Sequence, residues 1–364
     1  MREIGTLAGY TVDSSTGQDP ANKIRALRRL NSVKADIISR YGGKWDSNYR
    51  EGWLPLVDLY TTGTITATPN SRAVTGVNTV WTSAFNNMKI LMPDGAYYKI
   101  ASVTDATDLL LTQPYQGQTT QTGVSYQIWQ DEYALYPEVL TIGGFLDYEW
   151  QATMDETYPR NMKRSYPKPV NDELPTVYTV VGRQNTTLKY STGTITGAIN
   201  DNYLVGSGTQ WLANIQPGYE FLISINGVST AFHVRRVLSD TSIELYQSLP
   251  VALSGSTTYS AKGKNATIVR FREPTSQRVV HYWYWAKDYP FVNDNDEDWI
   301  AEIYSEVVLN GAVRKDYLDK NDVARASLSK QEYEDSIKNM KVANDSAMSG
   351  PRTLAYELPP EARE

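Results

Sequence analysis

The sequence contains no cysteine and only two histidines, His233 and His281, in 364 residues. The absence of cysteine excludes disulfides, thiolate nucleophiles and cysteine-ligated zinc. Each histidine lies in a segment that is predicted to be a strand, and neither is accompanied by a triad signature. The Gly-x-x-x-x-Gly-Lys-Ser/Thr, Gly-x-Ser-x-Gly and His-Glu-x-x-His motifs are also missing. The sequence therefore predicts that the protein is not an enzyme and uses no cofactor.

Carboxylates are the remaining candidates for chemistry, because any two acids that meet in a fold can act on a glycoside. The pairs that stand close in the sequence are Asp147 with Glu149 and Asp155 with Glu156. Neither pair differs from ordinary surface acids. The acidic run 294–298 would suit a calcium loop, but position six of that loop is Trp299 instead of glycine, and position twelve is Ser305 instead of glutamate. We therefore expect no metal site.

Long apolar runs are absent too. No segment approaches the ~20 apolar residues of a membrane span, and residues 1–20 contain no apolar core of a secretion signal. We expect a soluble, unexported protein. The net charge of -6 argues against wrapping of nucleic acid, which requires clustered cations. One local basic cluster could contact DNA or an acidic protein, with a solvated loop as the equal alternative; it consists of Arg160, Lys163, Arg164 and Lys168.

A duplication is the clearest feature that is present. The stretch TGTITATPNSRAVTGVNTVW (residues 62–81) recurs as TGTITGAINDNYLVGSGTQW (residues 192–211), and a weaker similarity links residues 103–115 with 237–249. Both copies consist of short alternating runs separated by Gly, Asn, Asp and Pro, a pattern typical of small antiparallel sheets. We predict two small β-barrels or sandwiches, module 1 and module 2, inserted into another domain.

The segments outside the modules predict several helices. The first begins at Asp19-Pro20 and has apolar residues at three- and four-residue spacing as far as Tyr41. A second is predicted to follow the acidic run 294–298, whose carboxylates suit a helix N-terminus. The last is predicted to begin at Ser329, which forms a capping box with Glu332.

Short strands are predicted between the helices, near residues 139–142 and 177–181. A hairpin is predicted over residues 269–285, with its hydrophobic face covered by the C-terminal helices. The predicted fold class is α+β: a helical core with a small β-sheet, plus two duplicated small β-barrel or sandwich modules. The predicted divisions are an N-terminal arm and core helix (1–59), module 1 (60–130), a core segment (131–189), module 2 (190–263), the core hairpin and C-terminal helices (264–343) and an extended tail (344–364).

The order of the elements outside the modules resembles that of the head-to-tail adaptor (connector) proteins of tailed bacteriophages. The segments that carry the resemblance are IRALRRLNSVKADIISRY, YPEVLTI, LPTVYTVVG, IVRFREPTSQRVVHYWYW and EDWIAEIYSEVVLNGAVRKDYLDKND. The two modules depart from the simpler adaptors and resemble Thr/Gly-rich β-modules of phage virions. The resemblance implies a helical adaptor core that forms a ring, typically twelve-fold, beneath the portal protein.

The resemblance also implies the partners and the location. The ring would extend the DNA channel, touch packaged DNA transiently and carry tail nozzle or fibre proteins, in the neck of a virion assembled in the host cytoplasm. Apolar helix faces would join the subunits, through Ile24, Leu27, Ile37, Ile303 and Val307. The C-terminal tail would dock on the portal, through Leu354, Tyr356 and Leu358 as alternating anchors between Arg352 and Arg363.

An adhesion or carbohydrate-binding tail protein is the alternative function. In that interpretation Trp81 and Trp211 are sugar-stacking platforms on the twin modules, and linkage of the two sites would increase avidity. The competing interpretation places both indoles in the module cores, because each follows a Gly-x-x-Thr-x turn at an inward-facing strand position.

Overall fold

The computed structural model describes residues 20–149, 151–165, 176–185, 189–272, 278–292, 296, 300 and 304–349. Strands make up 41% of the structure, in four sheets, and helices only about 26%. The predicted α+β class with a helical adaptor core is therefore wrong, and the protein is mostly β. Packing divides the described residues into two units, which draw on Met1–Tyr49, Tyr190–Ala261 and Trp285–Glu364 (unit 1) and on Arg50–Lys189 and Lys262–Tyr284 (unit 2).

Module 1, in unit 2, is a half-barrel of seven strands. They are β2 (Thr64–Ala67), β3 (Ala73–Val77), β4 (Lys89–Leu91), β5 (Tyr97–Val103), β6 (Asp108–Leu111), β7 (Gln121–Val124) and β8 (Gln127–Trp129). Their order in the sheet is β7-β2-β3-β6-β5-β4-β8, with antiparallel neighbours. A short 3-10 turn, Ser83–Phe85, follows β3.

Module 2, in unit 1, repeats this half-barrel. Its strands are β14 (Thr194–Gly197), β15 (Tyr203–Ser207), β16 (Glu220–Ile225), β17 (Val228–Ser239), β18 (Ser242–Leu245), β19 (Leu253–Thr257) and β20 (Tyr259–Lys262). The order β19-β14-β15-β18-β17-β16-β20 matches module 1 strand for strand. A one-turn helix, Trp211–Asn214, stands where module 1 has its 3-10 turn.

The turns explain why the repeated glycine and asparagine positions recur. Gly63 and Gly193 have φ values of 84° and 85°, and a Cβ on either would lie within 2.5 Å of a backbone carbonyl oxygen in the next strand. Asn70 and Asn200 adopt left-handed φ values of 61° and 63°, a conformation that asparagine tolerates better than most residues. The same local geometry is therefore built twice.

Unit 2 also contains two four-stranded sheets that face each other. The first sheet consists of β1 (Tyr49–Leu56), β10 (Val139–Asp147), β11 (Ala152–Thr153) and β22 (Arg278–Ala286), in the order β1-β22-β10-β11. The second sheet consists of β9 (Glu132–Ala134), β12 (Asp155–Glu156), β13 (Val177–Gln184) and β21 (Ala266–Phe271), in the order β12-β13-β21-β9. Phe145 of the first sheet packs edge-on against Tyr178 and Phe271 of the second. These contacts define a β-sandwich.

The predicted hairpin over residues 269–285 is wrong. Its two strands, β21 and β22, belong to different sheets of the sandwich, so they do not pair with each other. The hydrophobic face of the sheet that contains β22 is therefore covered by a second sheet and not by the C-terminal helices. The turn predicted at residues 273–276 lies outside the described residues.

Helices gather in unit 1 around one apolar cluster. They are α1 (Pro20–Ser39), α4 (Ser305–Asp319) and α5 (Val323–Ser349). Two short helices lie between α1 and α4 in the sequence, α2 (Pro159–Ser165) and α3 (Trp211–Asn214). Trp45, Tyr333 and Ile337 are fully buried in this cluster. A Cβ on Gly311 would lie 2.5 Å from Val33 Cγ1, so glycine lets α4 approach α1 closely. Two 3-10 turns, Arg40–Gly43 and Asp46–Asn48, lead from α1 to β1.

The start of the last helix was predicted six residues too late. Helix α5 begins at Val323, and the Asp322 carboxylate accepts a hydrogen bond from the Arg325 N–H at 3.1 Å, which caps the first turn. Ser329 is therefore inside the helix. The first residues of the helix predicted after residues 294–298 lie outside the described residues, and the rest of that helix is confirmed as α4, which begins at Ser305. Among the described helices none is long and apolar enough to cross a membrane.

Candidate interaction surfaces

The two module tryptophans lie in the cores and are not platforms. Trp81 and Trp211 are 2% and 0% exposed. Each indole N–H donates to a tyrosine hydroxyl at 2.9 Å, that of Tyr126 in module 1 and that of Tyr259 in module 2. Neither ring has a face open to a sugar, so the alternative function loses the side chains on which it was based.

Each of these tyrosine hydroxyls joins two hydrogen bonds in series, an arrangement that we call the buried relay. The hydroxyl of Tyr126 donates to the Thr62 carbonyl oxygen at 2.6 Å, and that of Tyr259 donates to the Thr192 carbonyl oxygen at 2.7 Å. Burial raises the pKa of Tyr259 to about 12. The phenol stays neutral at ordinary pH and can accept and donate at once, which holds the first strand of the half-barrel to its core.

An aromatic cluster lies elsewhere, on the outer face of the sandwich in unit 2; Trp53 is its exposed member, Tyr148 and Trp283 are half-buried, and His281 is buried. Trp53 of β1 is 53% exposed and stacks on Tyr148 at 5.2 Å between ring centroids. His281 of β22 lies 4.7 Å from Trp53 and 5.3 Å from Tyr148, and Trp283 extends the row at 6.5 Å from His281. We call these four residues the aromatic face. The outer side of a solvated sandwich is normally polar, so such a face suits a binding surface.

Two adjacent glycines in the backbone beneath the aromatic face allow Trp283 to lie close to the strand. A Cβ on Gly143 would lie 2.1 Å from Cδ1 of Trp283, and one on Gly144 would lie 2.4 Å from Cζ2 of the same indole. The indole therefore lies directly on β10, and two adjacent glycines are required for that approach. Substitution of either would lift Trp283 and change the surface.

Charges border the aromatic face. His281 Nε2 lies 3.2 Å from a carboxylate oxygen of Glu51. Arg278 contacts both Asp147 and Glu149 at 3.4 Å. The carboxylates of Glu51 and Glu149 remain half or more exposed, whereas Arg278 is mostly buried. The border is thus acidic, and the Asp147–Glu149 pair that was considered for catalysis holds an arginine in place.

The other carboxylate pair, Asp155 with Glu156, is exposed on the short strand β12. Among the described residues no group of three or more His, Asp or Glu could hold a metal ion. The second histidine, His233, stacks on Tyr289 at 4.1 Å and hydrogen-bonds Gln247, so it packs module 2 against the segment after β22 within unit 1.

The predicted basic cluster lies on helix α2. Arg160, Lys163 and Arg164 are all exposed, and their three- and four-residue spacing brings them onto one side of the helix. Met162 is buried and anchors the helix. Lys168 lies outside the described residues. The cluster is available for contact with an anionic surface, and no described feature selects DNA over protein.

The predicted subunit-contact residues divide into two groups. Ile24 is 49% exposed and Leu27 half-buried, so both could reach a neighbour. Ile37 and Val307 are buried in the helical cluster of their own chain and present no surface. Their apolar spacing reflects intrachain packing. Ile303 and the tail residues Arg352, Leu354, Tyr356, Leu358 and Arg363 lie outside the described residues.

Sequence reasoning missed Trp53 and Tyr148. A signal for Trp53 exists in the stretch YREGWLPL, where the tryptophan is out of phase with Leu54 and Leu56. The leucines point inward, so the aromatic ring must point outward.

No protein-family model matches the chain, and no curated protein matches it.

Proposed function

We propose that this protein is a structural subunit of a tailed-bacteriophage virion, a head-to-tail adaptor that assembles into a ring, typically twelve-fold, beneath the portal. In that role it extends the DNA channel and carries nozzle or fibre proteins in the neck, after assembly in the host cytoplasm. The resemblance of the segment order supports the phage neck. The aromatic face supports a role in binding other proteins.

The geometry of the aromatic face favours a protein partner over a small molecule or a cation. The rings of Trp53, Tyr148 and His281 are in mutual contact at centroid distances of 4.7 to 5.3 Å. No slot for a small ligand and no cage for a cation remains between them. Trp53 is the exposed member of the cluster, Tyr148 is half-buried beside it, and tryptophan and tyrosine with a polar border are characteristic of protein interfaces.

The basic side of α2 suits the same role. In a closed ring each exposed cation is repeated once per subunit, so a modest cluster of three becomes a band of positive charge. Such a band could face an acidic portal surface or DNA in transit. The contribution of Arg160, Lys163 and Arg164 would then decrease with added salt.

The test uses the full chain and the portal protein encoded with it. Native mass spectrometry and electron microscopy of the mixture should show a ring of this chain on the portal. A chain that remains free of portal at all concentrations and salt conditions would overturn the proposal.

Replacement of one residue tests the aromatic face. Trp53→Ala should weaken portal attachment by about thirtyfold, because a central interface tryptophan typically contributes 2 kcal/mol or more. Tyr158→Ala is the matched control, since Tyr158 is 78% exposed but lies outside the aromatic face. Equal attachment of the two variants would exclude the aromatic face as the portal contact. Melting of both variants should remain close to that of the wild type.

A further inference from the structure

The hairpin between β16 and β17 of module 2 has a two-residue loop, Asn226 and Gly227, because the last pair of its ladder is Ile225 with Val228. Both loop residues are exposed, and both have left-handed φ values, 51° and 80°. Asn-Gly is a favoured dipeptide for such a tight turn. It is also the dipeptide in which the backbone most easily attacks an asparagine side chain, because glycine has no side chain to hinder ring closure.

The reaction of an Asn-Gly step needs only water. The deprotonated amide nitrogen of the glycine attacks Cγ of the asparagine. The bond from Cγ to the side-chain nitrogen then breaks, ammonia leaves, and a five-membered succinimide remains. Water opens this ring at either carbonyl, which yields aspartate or isoaspartate. One neutral side chain thus becomes one carboxylate, a change that alters local charge and hydrogen bonding.

The fold leaves both reacting groups of the module 2 loop unrestrained. Within the described part of the chain, neither the Asn226 side chain nor the Gly227 amide nitrogen makes a hydrogen bond. A Cβ on Gly227 would meet no atom within 4 Å, so open space surrounds the loop. Exposed loop tips of this kind also open locally at little cost in free energy.

The second Asn-Gly step of the chain, Asn310-Gly311, lies inside helix α4. In a helix interior the Gly311 N–H belongs to the backbone hydrogen-bond ladder, which holds its nitrogen in place. Gly311 is also buried, and a Cβ on it would lie 2.5 Å from Val33 Cγ1. Helix α4 must therefore open before this step can react.

Module 1 has Asp94-Gly95 in the loop between its equivalent strands, β4 and β5. Aspartate forms the same succinimide less readily, because an ionised carboxylate is a poor electrophile. The loop is also restrained. The Asp94 carboxylate accepts hydrogen bonds from the Ala96 N–H at 3.0 Å and the Tyr98 hydroxyl at 2.7 Å, and the Gly95 N–H donates to the Met92 carbonyl oxygen at 2.9 Å. The two modules therefore differ in the reactivity of this loop.

We propose that Asn226 is a site of spontaneous deamidation, through a succinimide formed with Gly227. Each conversion adds one negative charge at the tip of the β16–β17 hairpin, beside Val228, which is 66% exposed. The isoaspartate product also lengthens the loop backbone by one carbon, which conflicts with a tight two-residue turn. This modification goes beyond the proposed function and does not depend on it.

The test follows the folded, full-length protein at physiological temperature and mildly alkaline pH. Peptide mass spectrometry measures replacement of the amide NH₂ by OH, and chromatography separates the aspartate and isoaspartate products. We expect Asn226 to convert at least about tenfold faster than Asn310, because α4 must open locally before Gly311 can react. The rate at Asn226 should rise with pH, because the attacking nitrogen must lose its proton. Asp94 should stay largely unchanged over the same period.

Denaturation supplies the matched control. In guanidinium chloride Asn226 and Asn310 should convert at similar rates, because the fold no longer protects either. Gly227→Ala should slow conversion of Asn226, since the added methyl group hinders ring closure. Alanine is strained at a φ of 80°, so this variant is also measured in denaturant, where the slowing should persist. Intact Asn226 in folded protein after the denatured chain has converted, or equal rates at Asn226 and Asn310 in folded protein, would each overturn the proposal.

Discussion

Loss of one hydroxyl should destabilise either module, because the same buried relay is used in both. Tyr259→Phe removes the acceptor for the Trp211 indole N–H and the donor to the Thr192 carbonyl oxygen. Tyr126→Phe does the same in module 1. Phenylalanine preserves the ring and its packing, so the change isolates the hydrogen bonds.

The size of the stability loss depends on whether the atoms left without a partner can still hydrogen-bond to water. Trp211 is fully buried and its N–H would be left without a partner, at a cost of about 1–3 kcal/mol. Thr192 is exposed, so its carbonyl oxygen can accept a hydrogen bond from water and adds little. We therefore expect each Tyr→Phe variant to lose about 1–3 kcal/mol of unfolding free energy in its own module.

The assay must resolve the two modules, since a chain with several domains need not unfold in one step. Hydrogen exchange followed by mass spectrometry should show faster exchange in peptides of residues 60–130 for Tyr126→Phe, and of residues 190–263 for Tyr259→Phe. Tyr158→Phe, at an exposed position, should change neither region. Wild-type exchange in both core variants would refute the reasoning, because it would mean that the buried indole N–H does not need its partner.

Two further predictions concern module 2. Gly206→Ala should lower the free energy of unfolding in urea by about 1–3 kcal/mol, because the new Cβ would lie 2.4 Å from Thr209 Oγ1. Gly255→Ala is the control and should be tolerated, because the nearest atom to its new Cβ is 3.5 Å away. A similar loss of stability in both variants would contradict the steric argument. Stability should also fall at alkaline pH. The pKa of Tyr259 is raised to about 12, above the ~10 of an unfolded tyrosine, so its contribution is complete below pH ~10 and is lost as pH rises toward 12. Unfolding measured against pH should show a smaller alkaline loss in Tyr259→Phe.

The half-barrels show what local sequence can predict. Turn chemistry depends on a few neighbouring residues, so the recurrence of Gly63 and Asn70 as Gly193 and Asn200 predicts the same turns in both copies. Alternation between those turns predicts strands. The strand order within a module does not follow from these signals, because β2 pairs with β7 across more than fifty residues. No periodicity within a strand identifies its partner.

The sandwich shows where the pattern is ambiguous. In β22 the residues Val279, His281 and Trp283 alternate with Val280, Tyr282 and Tyr284, and either set could face a core. The tyrosine set faces the sandwich core, although His281 of the other set is also buried at 5% exposed. Tyr284 can be buried because its hydroxyl donates to Glu138 at 2.5 Å. That partner lies in a distant segment. The prediction of a hairpin failed for the same reason, since β22 has its neighbours in β1 and β10.

Duplication offers a physical reason for two modules in one chain. The relay of tryptophan, tyrosine and backbone oxygen fixes the interior of each copy, so outward residues can change without loss of the fold. Module 1 exposes Val77 and Val80 where module 2 has Ser207 and Gln210, whereas module 2 exposes Tyr203 and Val205 where module 1 has Ala73 and Thr75. Each copy thus has its own exposed apolar set. The ring subunit proposed above would contact a neighbour and a different partner at once, and the two unlike surfaces of a duplicated half-barrel would suit that role.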